Sequence, residues 1–176
     1  FNHNTYVIAG DGCLMEGISQ EAISFAGHLG LGKLIVLFDD NGISIDGPTS
    51  LSTSDNHHLR FKASNWHTVE CDGHSPLDIE NAIRESINDP RPSLIACKTK
   101  IGFGSPNKEG KSSSHGSPMG SDEINLIRKK LNWNHEPFII PEAILANWKQ
   151  NGLRGIEVRK LWQELYYSSK YYKEIN

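Results

Sequence analysis

Two short runs of β-branched and aromatic residues, Thr5 to Ala9 (TYVIA) and Leu34 to Phe38 (LIVLF), are uniformly apolar instead of alternating, and one amphipathic stretch separates them. A strand covered on both faces reads this way, because neither set of its side chains meets water. Both runs are therefore expected to be central strands of a parallel sheet. Between them, Ile18, Ala22, Phe25, Ala26 and Leu29 recur at spacings of three and four, which predicts a helix from about Gly17 to Leu29 with these residues as its buried stripe. Gly30 and Gly32 end it. Strand, helix and strand make a right-handed βαβ unit.

A second unit follows a long connection. His67 to Cys71 is the expected third strand. Ser75 caps a helix with Pro76 at its first position and Ile79, Ala82, Ile83 and Ile87 as its stripe, and after Pro90 and Pro92 the run Ser93 to Cys97 (SLIAC) supplies the fourth strand. Residues 98–120 have no periodicity and are mostly Gly, Ser, Pro, Lys and His, and a loop of that length is usually functional or disordered. Ser121 with Asp122 and Glu123 opens a helix, Pro141 another, and Val158, Leu161, Trp162 and Leu165 mark a third. The fold class is thus α/β, a parallel sheet with helices on both faces. Residues 1–132 form the α/β domain, and residues 133–176 a helical tail leading toward a further domain outside the chain. Because the first strand begins within four residues of the N-terminus yet reads as central, the chain is expected to be part of a longer protein, with its sheet incomplete on the N-terminal side.

Composition narrows the partners. The chain of 176 residues carries 18 Lys and Arg against 21 Asp and Glu, a balance of −3 with no basic run, which argues against nucleic acid or an anionic membrane as partner. The longest apolar run, Leu34 to Phe38, is too short to cross a bilayer. Phe1-Asn2-His3-Asn4 does not resemble a secretion signal, and three widely spaced cysteines, Cys13, Cys71 and Cys97, fit a reducing, cytoplasmic setting.

In an open parallel sheet, ligands bind beyond the carboxyl ends of the strands. Gly10-Asp11-Gly12 follows the first strand and Asp39-Asp40-Asn41-Gly42 the second, so Asp11 and Asn41 should face one another across neighbouring strand tips. A carboxylate and an amide oxygen suit Mg²⁺ or Ca²⁺, which complete their shells with water and phosphate oxygens. The flanking glycines let the backbone come close to a phosphate. Either element alone is ordinary turn chemistry, an Asx turn or a helix cap. Together, at adjacent tips, they suggest a metal-diphosphate site. His57 and His58 lie in a polar loop without ligand spacing and read as solvated. His3, His28, His67, His74 and His135 show no partner, and Cys71 and Cys97 fall on strands as core fillers.

The blocks GDGCLMEGISQEA, AGHLGLGKLIVLFDDNGISIDG and KTKIGFGSPNKEGKSSSHGSPMG, in this order, resemble the diphosphate-binding domain of the transketolase family, from about Thr5 to Leu131. The resemblance implies the thiamine diphosphate-binding fold, with thiamine diphosphate and Mg²⁺ as cofactors, Ca²⁺ or Mn²⁺ substituting. It implies that Asp11 and Asn41 ligate the cation by their side chains and Ile43 by its backbone carbonyl. Gly10, Gly12 and the Asn41 region would contact the diphosphate, and Ile45 would pack against the cofactor. His115 would reach both diphosphate and substrate as a catalytic residue, donating to an oxyanion or relaying a proton. Read without the IGFGSP block, a histidine in a Ser/Gly loop is simply solvated. Glu16 resembles a carboxylate at the family's subunit interface, although a first-turn helical Glu favoured by the dipole explains it equally well.

The implied activity is transfer of a two-carbon ketol unit between sugar phosphates in the pentose phosphate pathway, by a homodimer. Where the family has a pattern like RFEAYGW, this chain has Arg60-Phe61-Lys62-Ala63-Ser64-Asn65-Trp66, which touches local packing and no ligand position. Asn65 can replace Gly where φ is positive. The family's activating glutamate, carried by another domain of a partner subunit, and the histidines that precede the GDG strand have no counterpart here. The isolated chain is therefore expected to be inactive. Deoxyxylulose phosphate synthase shares the GDG and DN blocks but not the GFGSPN loop. Dihydroxyacetone synthase, and a non-catalytic module of the same fold, remain alternatives.

Overall fold

The computed structural model describes residues 3–175; Phe1, Asn2 and Asn176, with the part of the N-terminal reading that falls on them, lie outside the described residues. The chain divides into two compact units, Phe1–Leu131 and Asn132–Asn176. The first unit runs β1 (Thr5–Gly10), α1 (Asp11–Met15), α2 (Gly17–Leu29), β2 (Leu34–Asp40), a small ribbon of β3 (Ile43–Ser44) and β4 (Gly47–Pro48), α3 (His57–Ala63), β5 (His67–Asp72), α4 (Pro76–Asn88), β6 (Ser93–Lys98) and α5 (Ser121–Lys130). The second contains α6 (Glu142–Leu153), α7 (Gly155–Ser168) and α8 (Tyr172–Ile175), with the ring of Trp162 stacked on Tyr166 within α7. Among the described residues, no helix is long and apolar enough to cross a membrane.

The main sheet is parallel with the order β1-β2-β6-β5. Because β6 enters between β2 and β5, its residues Leu94, Ile95 and Ala96 lose all contact with water. Successive side chains on a strand point to opposite faces, so the sheet carries two cores. One joins Val36, Phe38, Leu94 and Ala96 to Leu14, Ile23, Ala26 and Phe61 from α1, α2 and α3. The other joins Ile35, Ile95 and Cys97 to Ala82 and Ile83 of α4. Helices thus cover both faces, as the alternation of segments predicts.

Among the described residues β1 has β2 as its hydrogen-bonded neighbour, and Ile8 is 82% exposed. The sheet order is decided by where β6 inserts. One expectation needs correction. Of the stripe expected on α2, Ala26 is buried as read, but Ile18 and Phe25 turn outward, 70% and 63% exposed, while Ile23 and Gly27 join Ala26 in facing the core. Close approach explains the rotation. A β-carbon built on Gly27 would lie 1.7 Å from the carbonyl oxygen of Ser64, so the helix meets the α3–β5 turn on its smallest face.

That turn is where the chain departs from the family pattern. Arg60–Ala63 belong to α3, whose cap is Asn56 accepting from the Leu59 N–H at 2.9 Å. Asn65 has φ +64, the left-handed backbone expected of a glycine replacement. Trp66 then enters the core, donating its indole N–H to the Ile23 carbonyl at 2.8 Å and meeting Phe61 edge-on.

Several histidines also differ from their reading. His57 is half-buried, edge-on to Phe38 at 5.1 Å, and His58 Nε2 lies 2.9 Å from Glu70. His67 contacts Glu85 at 3.0 Å and Ser93 at 3.2 Å, and His74 accepts from the Lys100 N–H and stacks on Phe103. Their partners are remote in sequence or on a neighbouring strand, so local spacing does not reveal them. Cys71 and Cys97 face each other in register with sulfurs 3.7 Å apart, and burial pushes both thiols up, that of Cys97 to about 12.

The contact at Gly27 is testable. Gly27→Ala should lower unfolding free energy by about 3 kcal/mol, the upper end of overpacking costs, despite alanine's better helix propensity. Gly152→Ala, where an added methyl meets nothing within 4 Å, should stabilise by roughly 1 kcal/mol. Urea denaturation of both variants decides it; a neutral Gly27→Ala would show that the close approach is absent.

Candidate functional site

Parallel pairing of β1 with β2 sets Gly10 opposite Asp39, so the segments after both strands emerge side by side. Asp11 opens α1 directly, with the extended Gly10 before it. Its side chain is 7% exposed, accepts a hydrogen bond from the backbone N–H of Gly42 at the neighbouring tip, and leaves Oδ2 buried without a partner. Burial, reinforced by the nearby Asp40 and Asp39 charges, raises its pKa above the ordinary carboxylate value, while the Gly42 N–H and His57 oppose the rise. A buried carboxylate in this state lacks a counter-charge.

The second tip is a relay of short contacts. Thr99, just past β6, donates its hydroxyl to Asp39 Oδ1. Asp39 Oδ2 accepts from Asn41 Nδ2 at 2.9 Å, which fixes the amide so that Oδ1 accepts from the Ile43 N–H, also at 2.9 Å. Asn41 is thus an Asx-turn residue, but its carbonyl oxygen keeps a second lone pair. In the ribbon, Ile43 faces Pro48, which has no N–H to give, so the Ile43 carbonyl receives no donor from the residue opposite. Asp40 is neutralised by Lys98, its register partner on β6.

One cavity of about 840 Å³ is lined by all of the residues singled out from the sequence: Gly10, Asp11, Gly12, Asn41, Ile43, Ile45 and His115. At Gly10 and Gly12 a β-carbon would meet nothing within 4 Å, so the space beside both is open to an incoming group. Ile45 is 71% exposed, an apolar side chain presented to the cavity instead of to the core. Leu51, 72% exposed on the same wall, carried no sequence signal. Glu16 sits at the junction of α1 and α2 and is not among the residues lining this cavity.

The cation implied by the resemblance can be tested on chemistry. Among the described residues, no cluster of three or more His, Cys, Asp or Glu side chains could hold a metal. An ion here would rest on one carboxylate, one amide and one backbone carbonyl, and would need further oxygens from its ligand or water. That is the habit of Mg²⁺ beside a diphosphate. The orphaned Asp11 oxygen fits it.

His115 is brought to the cavity by residues 98–120, which are not structureless. Glu123, buried in the first turn of α5, accepts from the Ser105 hydroxyl, the Asn107 N–H at 2.9 Å and Asn107 Nδ2 at 2.8 Å. These contacts, the Ser105 hydroxyl foremost, hold its carboxyl down to about 2. From the sequence Glu123 reads only as a helix-start residue, and nothing local betrays its partners. Asp39, Asp40, Lys98 and Thr99 were also without a role; the acidic pair at one strand end and the Lys-Thr at another become informative only once β2 and β6 are neighbours.

The architecture defines a class, an α/β domain with its ligand cavity at the carboxyl ends of parallel strands. Within that class the chain matches the family model "Transketolase, thiamine diphosphate binding domain" over residues 1–175, and it belongs to that family. It is 54% identical over 162 residues to a transketolase of Cereibacter sphaeroides, covering 92% of this chain and 25% of the relative, and 51% identical over 172 residues to transketolase 2 of Escherichia coli, covering 96% and 26%. The structure is similar to that of transketolase from Campylobacter jejuni, with TM-score 0.90, 31% identity and coverage of 99% of this chain and 28% of the other. A Pichia stipitis transketolase in complex with sedoheptulose-7-phosphate gives TM-score 0.84 at 39% identity, covering 94% and 25%. The chain therefore spans about a quarter of the length of these relatives.

Glu123 generates a pH prediction. The folded chain binds its proton less tightly than the usual 4.5 would imply, so its stabilisation is fully present above that value and is lost as pH falls through about 2. The amide resonances of Asn107 and Lys108 should move between those limits, and Glu123→Gln should abolish most of the movement. Asp89, held down to about 2 by Arg91, titrates in both proteins and does not confuse the comparison. Identical acid profiles would remove Glu123 from its role in the loop.

Proposed function

We propose that the cavity at the β1 and β2 tips binds the diphosphate of thiamine diphosphate through Mg²⁺, as part of an enzyme transferring two-carbon ketol units between sugar phosphates. One observation carries the reading: Asp11 Oδ2, buried, unpartnered and crowded by Asp39 and Asp40, lies where Asn41 and Ile43 present further oxygens. Asp11, Asn41 and the Ile43 carbonyl would hold the cation, with Ca²⁺ or Mn²⁺ able to substitute, and the diphosphate would complete its shell. The open space at Gly10 and Gly12 would admit the phosphates without steric conflict. When bound, thiamine diphosphate supplies the carbanion chemistry that breaks and forms a carbon–carbon bond beside a carbonyl. The chain's own contribution is to orient and polarise. Ile45 would give the cofactor an apolar support, and His115 would donate a hydrogen bond to a diphosphate or substrate oxygen, or move a proton there near neutral pH.

Sugar phosphates as substrates are supported by the Pichia stipitis relative solved with sedoheptulose-7-phosphate. Family membership supports homodimerisation and a place in the pentose phosphate pathway, and the widely spaced, odd-numbered cysteines support a cytoplasmic setting. Residues 1–132 serve as the cofactor domain in this reading, and residues 133–176 lead toward another.

Calorimetric titration of thiamine diphosphate, with and without Mg²⁺, tests the ligand set. Binding should require the cation, and Asp11→Ala should weaken it at least tenfold, about 1.4 kcal/mol. Binding indifferent to both cation and substitution would reject the set. Ketol transfer between sugar phosphates should be undetectable with this chain alone, since no residue in it matches the family's activating glutamate; measurable turnover would refute that part.

A further inference from the structure

We propose that Lys108 is the positioning residue that sets His115 in the cofactor cavity. The inference rests on the reading of His115 given above and adds what holds it there. His115 lies near the apex of an exposed loop, a place where a side chain ordinarily samples many orientations. Here the chain on either side of it converges on one residue. On the near side, the Ser114 hydroxyl donates to the Lys108 backbone carbonyl at 2.6 Å. On the far side, the Lys108 ammonium donates to the carbonyl of Met119 at 2.9 Å and to that of Pro118 at 3.4 Å. Only residues 115–117 lie between the two tethers. Gly116, with φ +73, supplies a left-handed backbone within that short span, and the His115 N–H is fixed to the Ser112 carbonyl at 2.8 Å.

Lys108 is itself anchored. Its N–H donates to Ser105 Oγ at 3.0 Å, and Ser105, fully buried, donates its own hydroxyl hydrogen bond to Glu123. The line from α5 to His115 therefore runs through Glu123, Ser105 and Lys108, each link a hydrogen bond to a group fixed by the previous one. Charged donors make the stronger bonds, and an ammonium aimed at two carbonyls shapes the chain where a surface ion pair would not. Gly102 completes the seat, because a β-carbon there would lie 2.6 Å from Ser114 Oγ.

Lys108→Met keeps the aliphatic stem and the backbone tether and removes only the ammonium. In the full chain, NMR should show the His115 imidazole resonances displaced while those of His67 stay in place. Thiamine diphosphate affinity, with Mg²⁺ present, should fall about tenfold, the low end of the cost of losing an outer-shell support. Lys108→Arg should restore both. His115→Ala should weaken binding to a similar degree, and the double variant should be no worse than either single one. An unmoved His115 signal in Lys108→Met, or losses that add in the double variant, would overturn the proposal. If His115→Ala leaves affinity unchanged while Lys108→Met still displaces the His115 signal, the positioning stands and the cofactor reading of His115 is what fails.

Discussion

Three carboxylates, Asp11, Asp39 and Asp40, meet at two adjacent strand tips, and the protein supplies a full counter-charge to only one of them. Asp40 has Lys98. Asp39 is satisfied by neutral donors, the Thr99 hydroxyl and the Asn41 amide. Asp11 receives a backbone N–H from Gly42 and no cation, with one oxygen left over. Such a concentration of negative charge is unfavourable in the chain by itself, and the proposed divalent ion would relieve it while creating a seat for phosphate oxygens. The surrounding elements serve that juxtaposition. Parallel pairing aligns the tips, α1 starts without a linker after Gly10, and the β3–β4 ribbon turns Ile43 and Ile45 back over the cavity.

The opposite wall is built on another principle. Residues 99–120 contain no strand and only a single helical turn, yet they are held by side chains reaching across the loop, with Glu123 gathering one limb and Lys108 the other. A loop tied in this way holds a histidine at a defined place while remaining outside the packed core. Loss of these tethers would leave the strand tips untouched and blur the position of a single imidazole.

The divide between what could be read and what could not follows the range of each interaction. The helix Gly17–Leu29, its left-handed Gly30 stop, the Ser75 cap and the Pro76 start depend on residues a few positions apart, and the structure has them as expected. That Asp11 and Asn41 stand at neighbouring strand tips was legible because one βαβ turn separates them, whereas Ile43 and Ile45 were singled out by the resemblance. The burial of α2 was misjudged, since periodicity locates an apolar stripe but is blind to a carbonyl 1.7 Å from where a Gly27 methyl would sit. His67 and His74 found partners on other elements, and Glu123 closed a loop whose sequence is mostly small and polar.

By itself, then, the sequence determined the order of the four main strands, of α2, α4 and the later helices, and the pairing of an acid with an amide at consecutive strand ends, because those depend on local periodicity and short-range capping. Only the tertiary structure decided that α1 and α3 are helices, that β6 brings Lys98 and Thr99 to the acidic tips, and that Lys108 and Glu123 carry His115 to the same cavity. Those outcomes depend on which strands become neighbours and how closely backbones approach, quantities set by packing over the whole unit and written in no single stretch of chain.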